Sequence, residues 1–180
     1  MKEIPKGESV KAAPSNVEAE EAMLGSILQG GDIEMELAMS WIREDSALYS
    51  IKCMQIFQCM KELYNNKVPI DTITLSDKMM DNFGVRDTVY IMDLIERSVS
   101  KVKVEHYARI VWERYVQRET TKSAQELLNA SYDNYDEVGK IIENHSRLIE
   151  QLRHIQPTRS RDISDIVDET NRALQEKSNT

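Results

Sequence analysis

Residues 104–155 read VEHYARIVWERYVQRETTKSAQELLNASYDNYDEVGKIIENHSRLIEQLRHI, and this stretch decides the fold class. Val104 to about Ser131 reads as one helix of roughly 27 residues, longer than a typical globular helix. Asp133-Asn134 turns the chain, and a second long helix runs from Tyr135 to about Ile155. Its apolar positions, Val138, Ile141, Ile142, His145, Leu148, Ile149, Leu152 and Ile155, follow a heptad-like pattern. Two long antiparallel helices with a short turn form an αα-hairpin. Such a hairpin has too little area to stand alone, so its outer stripe needs a partner, either the rest of the chain or a second chain. Trp112, within the first long helix, is a candidate anchor for that contact.

Working upstream, residues 14–103 read as five shorter helices that bury their stripes against one another in one globule. Ser15 or Asn16 caps the first, with Glu18 completing a capping-box spacing, and Gly30-Gly31 stops it. Asp32 caps the second. The third runs from Ser50 to Asn65, the fourth from Asp71 or Thr72 to Phe83-Gly84, and the fifth from Asp87 to Arg97. Residues 1–13 are polar and without period, as in a flexible tail. Downstream, Pro157 ends the hairpin and residues 156–161 form a short basic link. A last amphipathic helix follows over 162–177, with Asp162 as its cap and Ile163, Ile166, Val167, Thr170 and Leu174 on one face. That face has no obvious neighbour in its own sequence and points to a partner outside it.

Composition agrees with an all-α protein. The 180 residues include only 6 Gly and 4 Pro, too few turn-formers for a sandwich or barrel. Neither G-x-x-x-x-G-K-[ST] nor G-x-G-x-x-G occurs, so the chain carries no phosphate-binding loop. No apolar run approaches the ~18 residues of a membrane span, and the N-terminus has no signal-peptide core. Cytoplasm is the expected compartment, with Cys53 and Cys59 too far apart in rotation along one helix to pair.

Candidate chemistry is thin. His145 and His154 lie on opposite sides of one helix and His106 on another, so the histidines share no metal. The acidic clusters, Glu18 with Glu20 and Glu21, and Glu34 with Glu36, read as solvated helix faces. Residues 14–103 hold 15 acidic side chains against 9 basic ones, which disfavours phosphate binding by the globule. No catalytic, cofactor-binding or metal site is assigned.

Several motifs in order resemble the N-terminal domain of bacterial replicative DNA helicases, the DnaB family. They are Pro14-Ser15-Asn16-Val17-Glu18-Ala19-Glu20 followed by Leu24-Gly25, Leu48-Tyr49, Ile56-Phe57 with Leu63, Pro69-Ile70-Asp71 with Thr74-Leu75, and Val104-Glu105-His106-Tyr107-Ala108 with Ile110-Val111 and Arg118. The segment Ile163–Lys177 is similar in position and character to the family's linker helix. Two departures stand out: a single glycine, Gly84, where the family has a pair before the fifth helix, and no motor domain with its Walker A loop.

The resemblance implies a collar domain without activity of its own, belonging to an ATP-dependent helicase. ATP and magnesium would be handled by the motor, which this sequence lacks, so the chain is expected to be a fragment of a longer protein. Implied partners are other copies of the chain, as dimers within a trimer of dimers, primase, and possibly a helicase loader. Single-stranded DNA would be met only through the parent hexamer. The hairpin interface would comprise Trp112, Val138, Ile141, Ile142, His145, Leu148 and Leu152. The linker helix would dock through Ile163, Ile166, Val167, Thr170 and Leu174 on a neighbouring motor. An alternative is a stand-alone loader or inhibitor that mimics the collar and binds a helicase.

Overall fold

A Cβ placed on Gly25 would lie 1.9 Å from the carbonyl oxygen of Leu94, so two helices touch here backbone to backbone. These are α1, Val17–Gly30, and α5, Thr88–Arg97. In the computed structural model, which describes residues 12–98, 103–133 and 135–153, α1 is the central helix of the globule. Around it pack α2 (Asp32–Trp41), α3 (Ile51–Asn65), α5 and the start of α6 (Val104–Asp133). The fourth helix, α4 (Thr72–Phe83), lies against α3 and α5, and α7 (Tyr135–Arg153) runs back along α6. No strand occurs among the described residues, so the fold is all-α.

The local signals act largely where the sequence puts them. Asn16 caps α1 by accepting the Ala19 N–H at 3.0 Å, in place of a Ser15–Glu18 box. Ser50 caps α3 and Asp87 caps α5. Asp71 caps α4 in a reciprocal box: its carboxylate accepts the Ile73 and Thr74 N–H groups, and Thr74 Oγ1 accepts the Asp71 N–H. Gly84, with φ 67°, closes α4 in the left-handed conformation and donates its N–H to Met80. One glycine therefore suffices at the turn where a pair was expected. Two expectations change. Gly31, not Asp32, holds the cap position of α2, leaving Asp32 in the first turn where its charge favours the helix dipole. A 3-10 turn over Asp45–Ala47, unmarked in the sequence pattern, bridges α2 and α3.

The core extends past residue 103. Val104, Ala108, Val111, Trp112 and Tyr115 of α6 are buried in one cluster with Met23, Leu24, Ile27, Phe57, Met60 and Leu94. Three turns of the long helix thus belong to the globule, because their apolar stripe covers α1 and α2. Both cysteines are buried and unpaired. The expected tail, except residues 12 and 13, the link 156–161 and the amphipathic helix 162–177 lie outside the described residues.

Candidate interaction surface

Where α6 leaves the globule, Arg118 fastens it. Its guanidinium donates to the carbonyl oxygens of Pro14 at 2.9 Å and Ala47 at 2.7 Å. The same group stands 5.5 Å from the Tyr49 ring centre and 5.8 Å from that of Tyr115. The Tyr115 hydroxyl donates to Glu44 at 2.9 Å, and burial pushes its pKa up to about 12. One planar cation therefore joins the entering chain, the turn after α2 and the long helix.

Two carboxylates complete this frame. Glu20, 1% exposed, accepts the N–H of Tyr49 at 2.7 Å and of Ser50 at 3.0 Å, which holds the start of α3 against α1. Burial raises its pKa, opposed by those two N–H groups and by Arg118. Glu21 accepts the Tyr90 hydroxyl at 2.8 Å and pairs with Arg97 at 2.7 Å, tying α1 to α5. Neither lies on a solvated face, contrary to the reading of the acidic cluster. The sequence did hold the signal for Glu20: it stands at i, i+3, i+4, i+7 spacing with Met23, Leu24 and Ile27, on the apolar face.

Beyond Arg118 the hairpin carries the surface. Ser123 Oγ lies 2.5 Å from His145 Nδ1, fixing the register between α6 and α7. Leu148 packs onto the core cluster, and Ile141 is half-buried. Ile142 is 50% exposed on α7 and Leu128 49% exposed on α6. The side chains of Val138 and Leu152 lie outside the described residues, as do Ile163, Ile166, Val167, Thr170 and Leu174. Trp112, a candidate for the hairpin interface, is 3% exposed, with its ring 5.1 Å from that of Tyr115, and packs within the core cluster of its own globule. One face of α6, carrying Val116, Gln117, Thr120, Ala124, Gln125 and Leu128, forms a shallow open depression.

Among the described residues no cluster of three or more His, Cys, Asp or Glu side chains could hold a metal. Burial pushes the Cys53 thiol up and that of Cys59 up to about 11, which leaves both as thiols near neutrality. No described helix is long and apolar enough to cross a membrane.

Comparison with known proteins agrees with this picture. The family model described as the DnaB-like helicase N-terminal domain matches residues 12–113. The replicative DNA helicase DnaB of Haemophilus influenzae is 32% identical over 127 residues, 68% of this chain and 26% of that protein. The DnaB helicase of Nostoc sp. is 29% identical over 140 residues, 75% of this chain and 16% of the relative. The chain thus spans about a quarter or less of the length of these two relatives. The crystal structure of the N-terminal domain of DnaB helicase from Mycobacterium tuberculosis superposes with a TM-score of 0.67. At 18% identity, covering 77% of this chain and 98% of that one, it is a likeness of fold. A family match over α1–α5 and the buried start of α6, on the same all-α architecture, places this chain in the DnaB-like helicase N-terminal domain family.

Proposed function

We propose that the chain is the oligomerisation and primase-binding collar of a hexameric, ATP-dependent replicative DNA helicase, with no catalytic activity of its own. The observation that carries this reading is the hairpin. Leu148 of its outer helix packs onto the core, whereas Ile142, one and a half turns earlier, is half exposed and outside the core cluster. A second copy of the same hairpin is the partner whose stripe matches it, as a dimer and then a trimer of dimers. Primase, and a loader where one exists, would bind the collar, while ATP, magnesium and single-stranded DNA belong to the motor of the parent hexamer. The acid-rich globule supports a protein-facing role, since phosphate backbones require the opposite sign. Cytoplasm is the compartment this role requires.

Sedimentation velocity tests the first half. The chain is expected to dimerise at micromolar concentration, and Ile142→Asp to weaken the dimer by about 100-fold, roughly 3 kcal/mol, by placing a charge in an apolar contact. A strict monomer at high concentration overturns self-association. Co-sedimentation with the primase of the same cell tests the second half, and its absence at tens of micromolar overturns primase binding.

A further inference from the structure

Burial along the hairpin separates two stripes on each of its helices. On α6, Val116, Thr120, Ser123 and Leu127 are buried or half-buried, as are Ile141, His145 and Leu148 on α7. These stripes face one another through Ser123 and His145 and close the hairpin on itself. One residue further along each helix runs a second stripe with the same three-and-four spacing. It carries Thr121, Ala124 and Leu128 on α6, and Gly139, Ile142 and Ser146 on α7, all of them exposed.

A step of one residue turns a helix by about 100°. Because α6 and α7 run antiparallel, the same step carries both second stripes to the same side of the hairpin. With Ser123 level with His145, Ile142 falls between Ala124 and Leu128 across the seam. No Asp, Glu, Lys or Arg of residues 118–150 lies in either stripe, although charged residues make up 30% of the chain. One side of the arm is therefore free of charge. Thr121 fits this character, since its hydroxyl donates to the Gln117 carbonyl at 2.7 Å and spends its polarity within α6. Gly139 is the sharpest sign. Glycine is a poor residue for a helix interior, yet a Cβ at this position would meet no described atom within 4 Å. No described contact within the chain calls for the missing side chain.

We propose that this uncharged side is where a second copy of the chain packs, face to face, with its backbone drawn close at Gly139. Ile142 of each copy enters the shallow depression beside Ala124 and Leu128 of the other. A face without charge selects no oppositely charged partner. Its three-and-four spacing on two antiparallel helices matches a second hairpin of the same kind, and the two together make a symmetric four-helix bundle. The inference rests on self-association of the hairpin and adds its location. Ile141, His145 and Leu148 are engaged inside the arm, so the contact turns to the next side of the hairpin and α6 supplies half of it.

Sedimentation velocity on the full 180-residue chain tests the proposal, with Tm of the dilute monomer as control. Gly139→Ala replaces a poor helix former, so Tm should hold or rise, while the added methyl obstructs the close approach and raises the Kd of self-association at least about tenfold. Ala124→Glu, at an exposed position, should keep its helicity and raise Kd at least about tenfold by placing a charge in an apolar contact. Lys122→Glu, off the stripe, should leave Kd within about threefold. A smaller rise for either stripe variant, in a chain that does self-associate, overturns this placement and leaves self-association standing. So does an equal rise for Lys122→Glu, because the contact would then not distinguish the uncharged side. A parent chain that stays monomeric at high concentration overturns self-association and this placement together.

Discussion

Glu20 accepts the backbone N–H of Tyr49 at 2.7 Å although the two stand 29 residues apart. A buried carboxylate on α1 therefore performs the capping of α3 jointly with Ser50. Glu20→Ala is expected to cost about 2–3 kcal/mol in urea unfolding, since it strands two N–H donors.

The same residue sets a pH dependence. Its folded pKa is raised above the ordinary 4.5, so the folded protein holds that proton to higher pH than the unfolded chain. Its contribution is fully present below pH 4.5 and is lost as pH rises through the folded value. Glu20→Gln, which has no charge to desolvate, should gain on the parent as pH climbs from about 4.5 toward neutrality. A stability difference flat across that window would show that burial does not govern Glu20.

Arg118→Ala removes three bonds to carbonyls, of Pro14, Ser46 and Ala47, and a cation between two tyrosines, and should lower stability by about 2–3 kcal/mol. Arg118→Lys should recover little, because an ammonium lacks the planar fork that reaches Pro14 and Ala47 together. Limited proteolysis is the second readout: cleavage in residues 12–16 should quicken in both variants.

Gly25→Ala forces a methyl into the Leu94 carbonyl, an overlap that only separation of α1 and α5 relieves. The expected loss is about 3 kcal/mol, visible as a fall in Tm. Gly84→Ala, with open space around it, should cost about 1 kcal/mol through its left-handed backbone alone. Equal losses would mean that the α1–α5 contact tolerates spreading.

Trp112→Ala and Ile142→Asp should separate folding from assembly. The first empties a core site and should cost about 3–5 kcal/mol of monomer stability. The second alters a half-exposed residue, so unfolding of the dilute monomer should shift by less than about 1 kcal/mol while self-association falls.

Helices and caps were legible because they depend on residues within four positions of each other, as Asp71 and Thr74 show. The hairpin was legible for the same reason, its heptad-like stripe being local. What escaped was long-range. Trp112 joins the globule because α1 and α2 offer it a face, information that no window around residue 112 contains. Glu20 and Glu21 were grouped with surface acids by composition, yet their partners lie just ahead of α3 and on α5. The 3-10 turn at Asp45–Ala47 is held by Arg118, 71 residues beyond Ala47, and so left no periodic trace. Of the surface itself, Ile141, Ile142, His145 and Leu148 could be placed on α7 from spacing.

Because α6 is at once an inner wall of the globule and one rail of the hairpin, no joint separates the two. With Arg118 clamping the point of exit, a force at the distal turn has a lever of about 22 Å, the fifteen helical steps from Arg118 to Asp133, through which to act on the core. Whatever grips the arm therefore aims the whole body.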